Sequence, residues 1–356
     1  MVSQNLPLEI SLPPERLPVL VTGVTGVPGF NAFTYLREKY GDQVIGVRPV
    51  DSWRMVGEGI HGVDPDDAVG MNSLFRKFGF GSILNATGSC ALRACELDPK
   101  MAIKTNVASA GVIAGLSQQF NSRLVHVSTD LVFSGQCGQG QYLESSSVDP
   151  VTNYGKTMVE GERIIAAEKP SAVIGRISLP MGPSFNGHAG AIDWIESRFR
   201  KTKPATLYFD EVRSPAYVED LNQVFEILLG NDFSGIYHLG GPRAVSLYQI
   251  GQIVNLSGGY PSSLLQGCPR LHAGPIPPRA GNVSMNSNKL LSALGRQPFH
   301  PWPRDESLVP TCKDWHHHRG EIPGSRHYLA SRLYRHSAIV PNPNDYYLSQ
   351  RFRLET

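Results

Sequence analysis

The chain reads as an α/β protein, a Rossmann-type doubly wound parallel sheet with a smaller C-terminal substrate-binding lobe. Three observations predict this. Short apolar runs of strand length alternate with stretches of helical periodicity through the first half of the sequence. The first apolar run ends in a glycine-rich turn that opens directly into a helix. Beyond Pro180 the texture changes to longer loops with Gly and Pro, interrupted by further helical stretches. Strands and helices that alternate in this way pack as a parallel sheet with helices on both faces.

The elements follow in order. A proline-rich lead-in precedes residues 19–22, an unbroken apolar run that suits a buried strand. Residues 28–40 are predicted as a helix, with proline at its start and Gly41 at its end. Residues 43–47 read as a second strand, 50–70 as irregular, 71–78 as helical and 82–86 as another buried strand. The spacing then predicts a helix over 99–120, a strand over 123–127, a helix over 153–167 and a strand over 172–177. Later helical stretches fall at 192–199, 217–229, 247–256 and 287–294. A dinucleotide-binding domain is therefore expected over residues 16–180. A mainly substrate-binding lobe is expected over 181–304, with some segments returning to the first domain, and a C-terminal extension of unassigned role over 305–356.

The 356 residues are 41% hydrophobic and 18% charged, with a formal net charge of +2. So small a charge, with its lysines and arginines scattered, gives no nucleic-acid or membrane-surface footprint and points to a small-molecule ligand. No apolar run reaches membrane-spanning length and the first 18 residues do not read as a signal peptide, so the expected location is cytoplasmic. Cys90, Cys95, Cys137, Cys268 and Cys312 are odd in number and widely spaced, and they read as reduced thiols. Trp315-His316-His317-His318 is not read as a metal site. Consecutive histidines point in different directions, and no carboxylate or cysteine has ligand spacing to them. His126, inside a strand, reads as a core histidine.

Chemistry enters with Gly23-Val24-Thr25-Gly26-Val27-Pro28-Gly29, between the first strand and the first helix. Gly23 permits a tight turn, Gly26 lets the backbone approach a pyrophosphate and Gly29 allows helix and strand to pack closely. The helix N-terminus then offers unpaired N–H groups to negative charge. The residue ending the second strand sits near the adenosine ribose in such folds, and here it is Arg48. A guanidinium suits a 2′-phosphate, which favours NADP over NAD, with Asp51 or Asp64 near the adenosine as the alternative. Val127-Ser128-Thr129-Asp130 ends a strand, where a substrate oxygen is held in open α/β sheets. Tyr154 opens the following helix and is a proton donor if its pKa falls from roughly 10 toward neutrality.

These blocks, with Asn85-Ala86-Thr87-Gly88, Asn106-Val107, Ser128-Thr129-Asp130-Leu131-Val132-Phe133, Tyr154-Gly155-Lys156-Thr157, Glu160-Gly161-Glu162, Arg213-Ser214-Pro215 and Gly235-Ile236-Tyr237-His238-Leu239-Gly240, resemble the dTDP-4-dehydrorhamnose reductase branch of the extended short-chain dehydrogenases/reductases over residues 18–300. The resemblance implies that Thr129 and Tyr154 hold and protonate a keto oxygen. It also implies that Ala86, Thr87 and Gly88 border the cofactor, that Asp64 approaches the adenine, that Asn106 braces the active-site backbone and that Arg213 lies on the nucleotide-sugar side.

Three departures stand beside it. The family lysine four residues after the tyrosine, which bonds the nicotinamide ribose and lowers the tyrosine pKa, is Met158 here, and a thioether has neither charge nor donor. Lys156 is rotated about 200° away on a helix of 3.6 residues per turn, while Lys100 and Lys104 lie on the helix of Asn106. Leu179 stands where an indole often faces the sugar, and Arg279-Ala280 where an Arg-Pro pair is usual. The leading expectation is an NADP-dependent reductase of a nucleotide-linked keto-sugar, with Tyr154 as donor; a homodimer is compatible with the sequence. Two alternatives stay open: a catalytically weak NADP(H)-binding sensor or regulatory subunit, and a nucleotide-sugar epimerase or dehydratase.

Overall fold

A computed structural model describes residues 11–136, 138–187, 189–318 and 324–335. Cys137 and the remainder of the C-terminal extension lie outside the described residues. Six parallel strands, β1 (Val19–Thr22), β2 (Val44–Arg48), β3 (Ile60–Gly62), β4 (Ser82–Asn85), β5 (Arg123–Thr129) and β6 (Val173–Ile177), carry the expected α/β alternation. β1 lies between β2 and β4, and β3 forms one edge beyond β2. β5 and β6 continue from β4, and the strand Gly235–Leu239 closes the other edge beside β6. The strand order thus reverses at β1 and β4, and a crevice opens there beyond the carboxyl ends of the strands.

The helices cover both faces. α1 (Val27–Tyr40) begins one residue before the expected 28–40 span. It lies on one face with a helix from the later half of the chain. α2 (Ala68–Phe78) starts at an N-cap, Asp67, whose carboxylate accepts the N–H groups of Val69 and Gly70. The expected helix over 99–120 divides. α3 (Leu92–Leu97) and α4 (Pro99–Ile103) lead into a π-helical segment, Lys104–Ala108, which passes into α5 (Ser109–Gln119). The wider π turn adds a residue within the element and accompanies an inward, buried Asn106. α6 (Asn153–Glu168) packs against α5.

Two clusters sandwich the sheet, one around Phe30, Phe33 and Leu36 and the other around Phe75, Ile113 and Ile165. After β6 the chain builds the lobe from α7 (Ala191–Arg200) and returns with α8 (Val218–Gly230), which packs on α1 and joins the first cluster through Phe225 and Leu228. α9 (Leu247–Gly258) completes the lobe through a capping box at Ser246, while α10 (Asn288–Leu294) packs against the strand Gly235–Leu239.

The extension contributes to this lobe. α11 (Arg326–Leu333) packs on α9, and Leu308, Leu329, Leu333 and Tyr334 are buried in one cluster with Trp302. The indole N–H of Trp302 donates to the Leu333 carbonyl at 3.2 Å, and the Tyr334 hydroxyl donates to Asp193 at 3.1 Å. No helix among the described residues is long and apolar enough to cross a membrane.

Candidate functional site

The floor of the crevice is made where β1, β4 and β5 end. The Asn85 carboxamide joins all three strands: its oxygen accepts the Thr22 hydroxyl at 2.6 Å and its nitrogen donates to His126 Nδ1 at 3.0 Å. Burial pushes the His126 pKa down to about 4, so the ring stays neutral and accepts this bond. Its place is structural, in the strand and beneath the crevice.

The glycine turn lies directly above. Gly23 has φ +66°, and a Cβ there would sit 2.2 Å from the Ala86 carbonyl oxygen. A Cβ on Gly29 would meet the Gly23 carbonyl oxygen at 2.3 Å, so α1 approaches β1 as closely as a backbone permits. Gly26, at the N-cap of α1, has no side-chain capping bond, and a Cβ there would make only ordinary contacts, the nearest with the Gly23 carbonyl oxygen at 3.5 Å. The first-turn N–H groups of α1 and Thr87 Oγ1, which is buried with no hydrogen-bond partner among the described residues, are groups of the kind that could hold a pyrophosphate. Gly29→Ala is therefore expected to weaken dinucleotide binding at least about tenfold, as the helix end backs away, and titration calorimetry would read it.

At the end of β2, Arg48 Nη1 donates to the Pro49 carbonyl at 2.9 Å and the Val50 carbonyl at 3.2 Å, while its Nε has no partner among the described residues. Asp64 accepts the Val50 N–H at 2.9 Å and so fixes the same loop.

On the far wall Asn106 braces the backbone. Its carboxamide oxygen accepts the Ser89 N–H at 2.8 Å and its nitrogen donates to Thr157 Oγ1 at 2.9 Å, tying the loop after β4 to α6. Gly88 lies over this bridge, where a Cβ would stand 3.6 Å from Asn106 Oδ1 and 3.7 Å from Met158 Sδ. Tyr154 is buried one helical turn before Met158 on α6. Burial drives its pKa well up, the neighbouring Cys90 and Asp130 add to the rise, and the Thr129 hydroxyl and Arg213 act against it. Thr129 thus lies beside the phenol and the two groups converge.

Arg213 is placed behind them. Its guanidinium grips Asp130 in a two-pronged ion pair, with Nε to Oδ2 at 2.6 Å, and it also faces Glu211 at 3.9 Å. Desolvation works against its charge, but the Asp130 carboxylate outweighs this and holds it protonated. Leu179 packs against the lobe's apolar cluster.

A family model described as the RmlD substrate binding domain matches residues 18–308. The chain belongs to this family. A dTDP-4-dehydrorhamnose reductase of Aggregatibacter actinomycetemcomitans is 28% identical over 241 residues, which are 64% of this chain and 79% of that protein. A Xenopus tropicalis methionine adenosyltransferase 2 subunit beta is 26% identical over 321 residues, 86% of this chain and 91% of that protein. Among solved structures, dTDP-4-dehydrorhamnose reductase from Bacillus anthracis in complex with NADP superposes with a TM-score of 0.66 at 19% identity, covering 80% of this chain and 95% of that one.

Met158 is only 3% exposed and packs beneath Gly88. None of Lys100, Lys104 and Lys156 takes its place: Lys100 and Lys156 are exposed, and Lys104 turns outward to Asp66 at 3.6 Å. Sequence reasoning missed Asp130 as the partner of Arg213 and Thr157 as the partner of Asn106. Thr157, Asp130 and Arg213 all stand in motif blocks, but the pairing of Asp130 with Arg213 spans 83 positions and has no local signal. Among the described residues no group of three His, Cys, Asp or Glu side chains is set to hold a metal.

Proposed function

We propose that the protein is an NADP(H)-binding member of the RmlD family whose crevice holds the dinucleotide but reduces substrate slowly, so that it works as a ligand-responsive regulatory subunit. The observation that carries this is Met158, which fills the lysine position while none of Lys100, Lys104 and Lys156 takes its place. The glycine turn, Thr87 and Gly88 would hold the nicotinamide dinucleotide, with the Arg48 guanidinium at its 2′-phosphate. Bound NADPH would supply a hydride. Tyr154 keeps its proton tightly in this setting, because burial disfavours the phenolate and no neighbouring lysine offsets it. The match to a methionine adenosyltransferase 2 subunit beta, over 321 residues against 241 for the reductase, supports a subunit role.

One observation favours slow reduction of a nucleotide-linked keto-sugar over none. Thr129 and Tyr154 are adjacent at the end of β5, as orienting donor and proton donor must be. The test is to load the protein with NADPH and offer dTDP-linked keto-sugars. Oxidation far below about 1 per second, the low end of ordinary enzyme turnover, is expected, and faster turnover contradicts the proposal. Arg48→Ala is expected to weaken NADPH binding about tenfold or more and leave NADH binding within about threefold, which calorimetry with the two cofactors would read.

A further inference from the structure

Outside the residues of the glycine turn, a cavity of about 390 Å³ has a lining that includes Tyr217, Arg304, Asp305, Arg332 and Arg335. We propose that this cavity is a second ligand site, which takes a small phosphorylated anion. Its lining carries three guanidinium groups against one carboxylate. Arg332 is partly neutralised by Asp305 at 3.1 Å, and Arg335 is paired with the buried Asp220 behind it. Arg304 is exposed, and among the described residues its guanidinium makes no hydrogen bond or ion pair, while its backbone N–H donates to the Tyr217 hydroxyl at 2.8 Å. Burial pushes the Tyr217 pKa up to about 12, so this hydroxyl keeps its proton and can donate it into the cavity.

Size and chemistry agree on the class of ligand. The volume falls in the range of about 300–1,000 Å³ typical of small-molecule sites, and planar guanidinium forks match phosphate oxygens in pairs. None of the dinucleotide-crevice residues lines it, so the proposal stands whether or not NADP(H) binds. The site does, however, touch the same framework. Tyr217 is the N-cap of α8, which packs on α1, and the Arg335 N–H donates to Glu219 in the first turn of α8 at 3.2 Å.

The test is calorimetric titration of the full-length protein with inorganic pyrophosphate, with and without saturating NADPH. Saturable binding is expected that NADPH leaves unchanged and that Arg304→Ala, a change to an exposed side chain, weakens about tenfold or more. Displacement by NADPH would assign the pyrophosphate to the crevice and overturn the proposal. Absence of saturable binding at millimolar pyrophosphate, or binding that Arg304→Ala leaves intact, would also overturn it.

Discussion

Met158→Lys is expected to raise the rate of NADPH-dependent keto-sugar reduction about a hundredfold or more, since an opposite charge within about 4–6 Å of an acid favours its ionised form by 1–3 pKa units and each 1.4 kcal/mol is tenfold in rate. The substitution keeps an unbranched side chain of similar length on the face that carries Tyr154, four residues away on α6. Burial raises the phenol's pKa in the native protein, so the ammonium acts in the opposite direction and makes Tyr154 the stronger acid. A merely structural effect would not move the pH–rate profile. The expected profile shifts its tyrosine limb toward neutral pH in the variant, and Tyr154→Phe in the same background removes the gain. An unchanged rate and profile in cofactor-loaded Met158→Lys would mean that Met158 does not limit the chemistry.

Glu162→Ala is expected to destabilise the fold by about 3–5 kcal/mol, the usual cost of leaving one partner of a buried ion pair uncompensated. Glu162 accepts two bonds from Arg176, at 2.8 and 2.7 Å, and a third from the Ser128 hydroxyl at 2.5 Å, so it pins α6 to both β5 and β6. Without it the Arg176 guanidinium stays buried beside the Phe133 ring, 5.3 Å from its centroid, with no carboxylate. Urea unfolding would read the loss. The double change Glu162→Ala with Arg176→Met should recover much of it, because apolar replacement of a whole buried pair is often neutral. A loss for Glu162→Ala below about 1 kcal/mol would place the pair among weakly contributing ion pairs.

Much of this architecture is legible in the chain because it rests on local patterns. The apolar runs at β1, β4 and β5 and the glycine turn before α1 each fix an element by composition and spacing, and together they fix the switch point. Elements without such a pattern escape it. β3 is three residues long and half-buried at the sheet edge, and the strand Gly235–Leu239 begins on a glycine with φ +83° and acquires its burial only from Tyr237 onward. The π-helical segment around Asn106 is invisible for another reason, since over a single turn the apolar spacing does not distinguish it from α-helix.

The site divides in the same way. That Met158 faces the crevice follows from helical periodicity alone. That Arg48 folds back onto the carbonyls of Pro49 and Val50, and that Arg213 is consumed by Asp130, follows from tertiary packing across loops and across the sheet. The extension looked structureless because its buried residues, Leu308, Leu329 and Leu333, are scattered among His and Arg. Their partners are supplied by α9 and Trp302.

The most direct test is calorimetric titration of the purified protein with NADPH, with turnover of a dTDP-linked keto-sugar followed on the same sample. Saturable binding near one equivalent together with very slow oxidation of the bound cofactor is the predicted result. Failure to bind NADPH at all, or binding followed by rapid turnover, would contradict it.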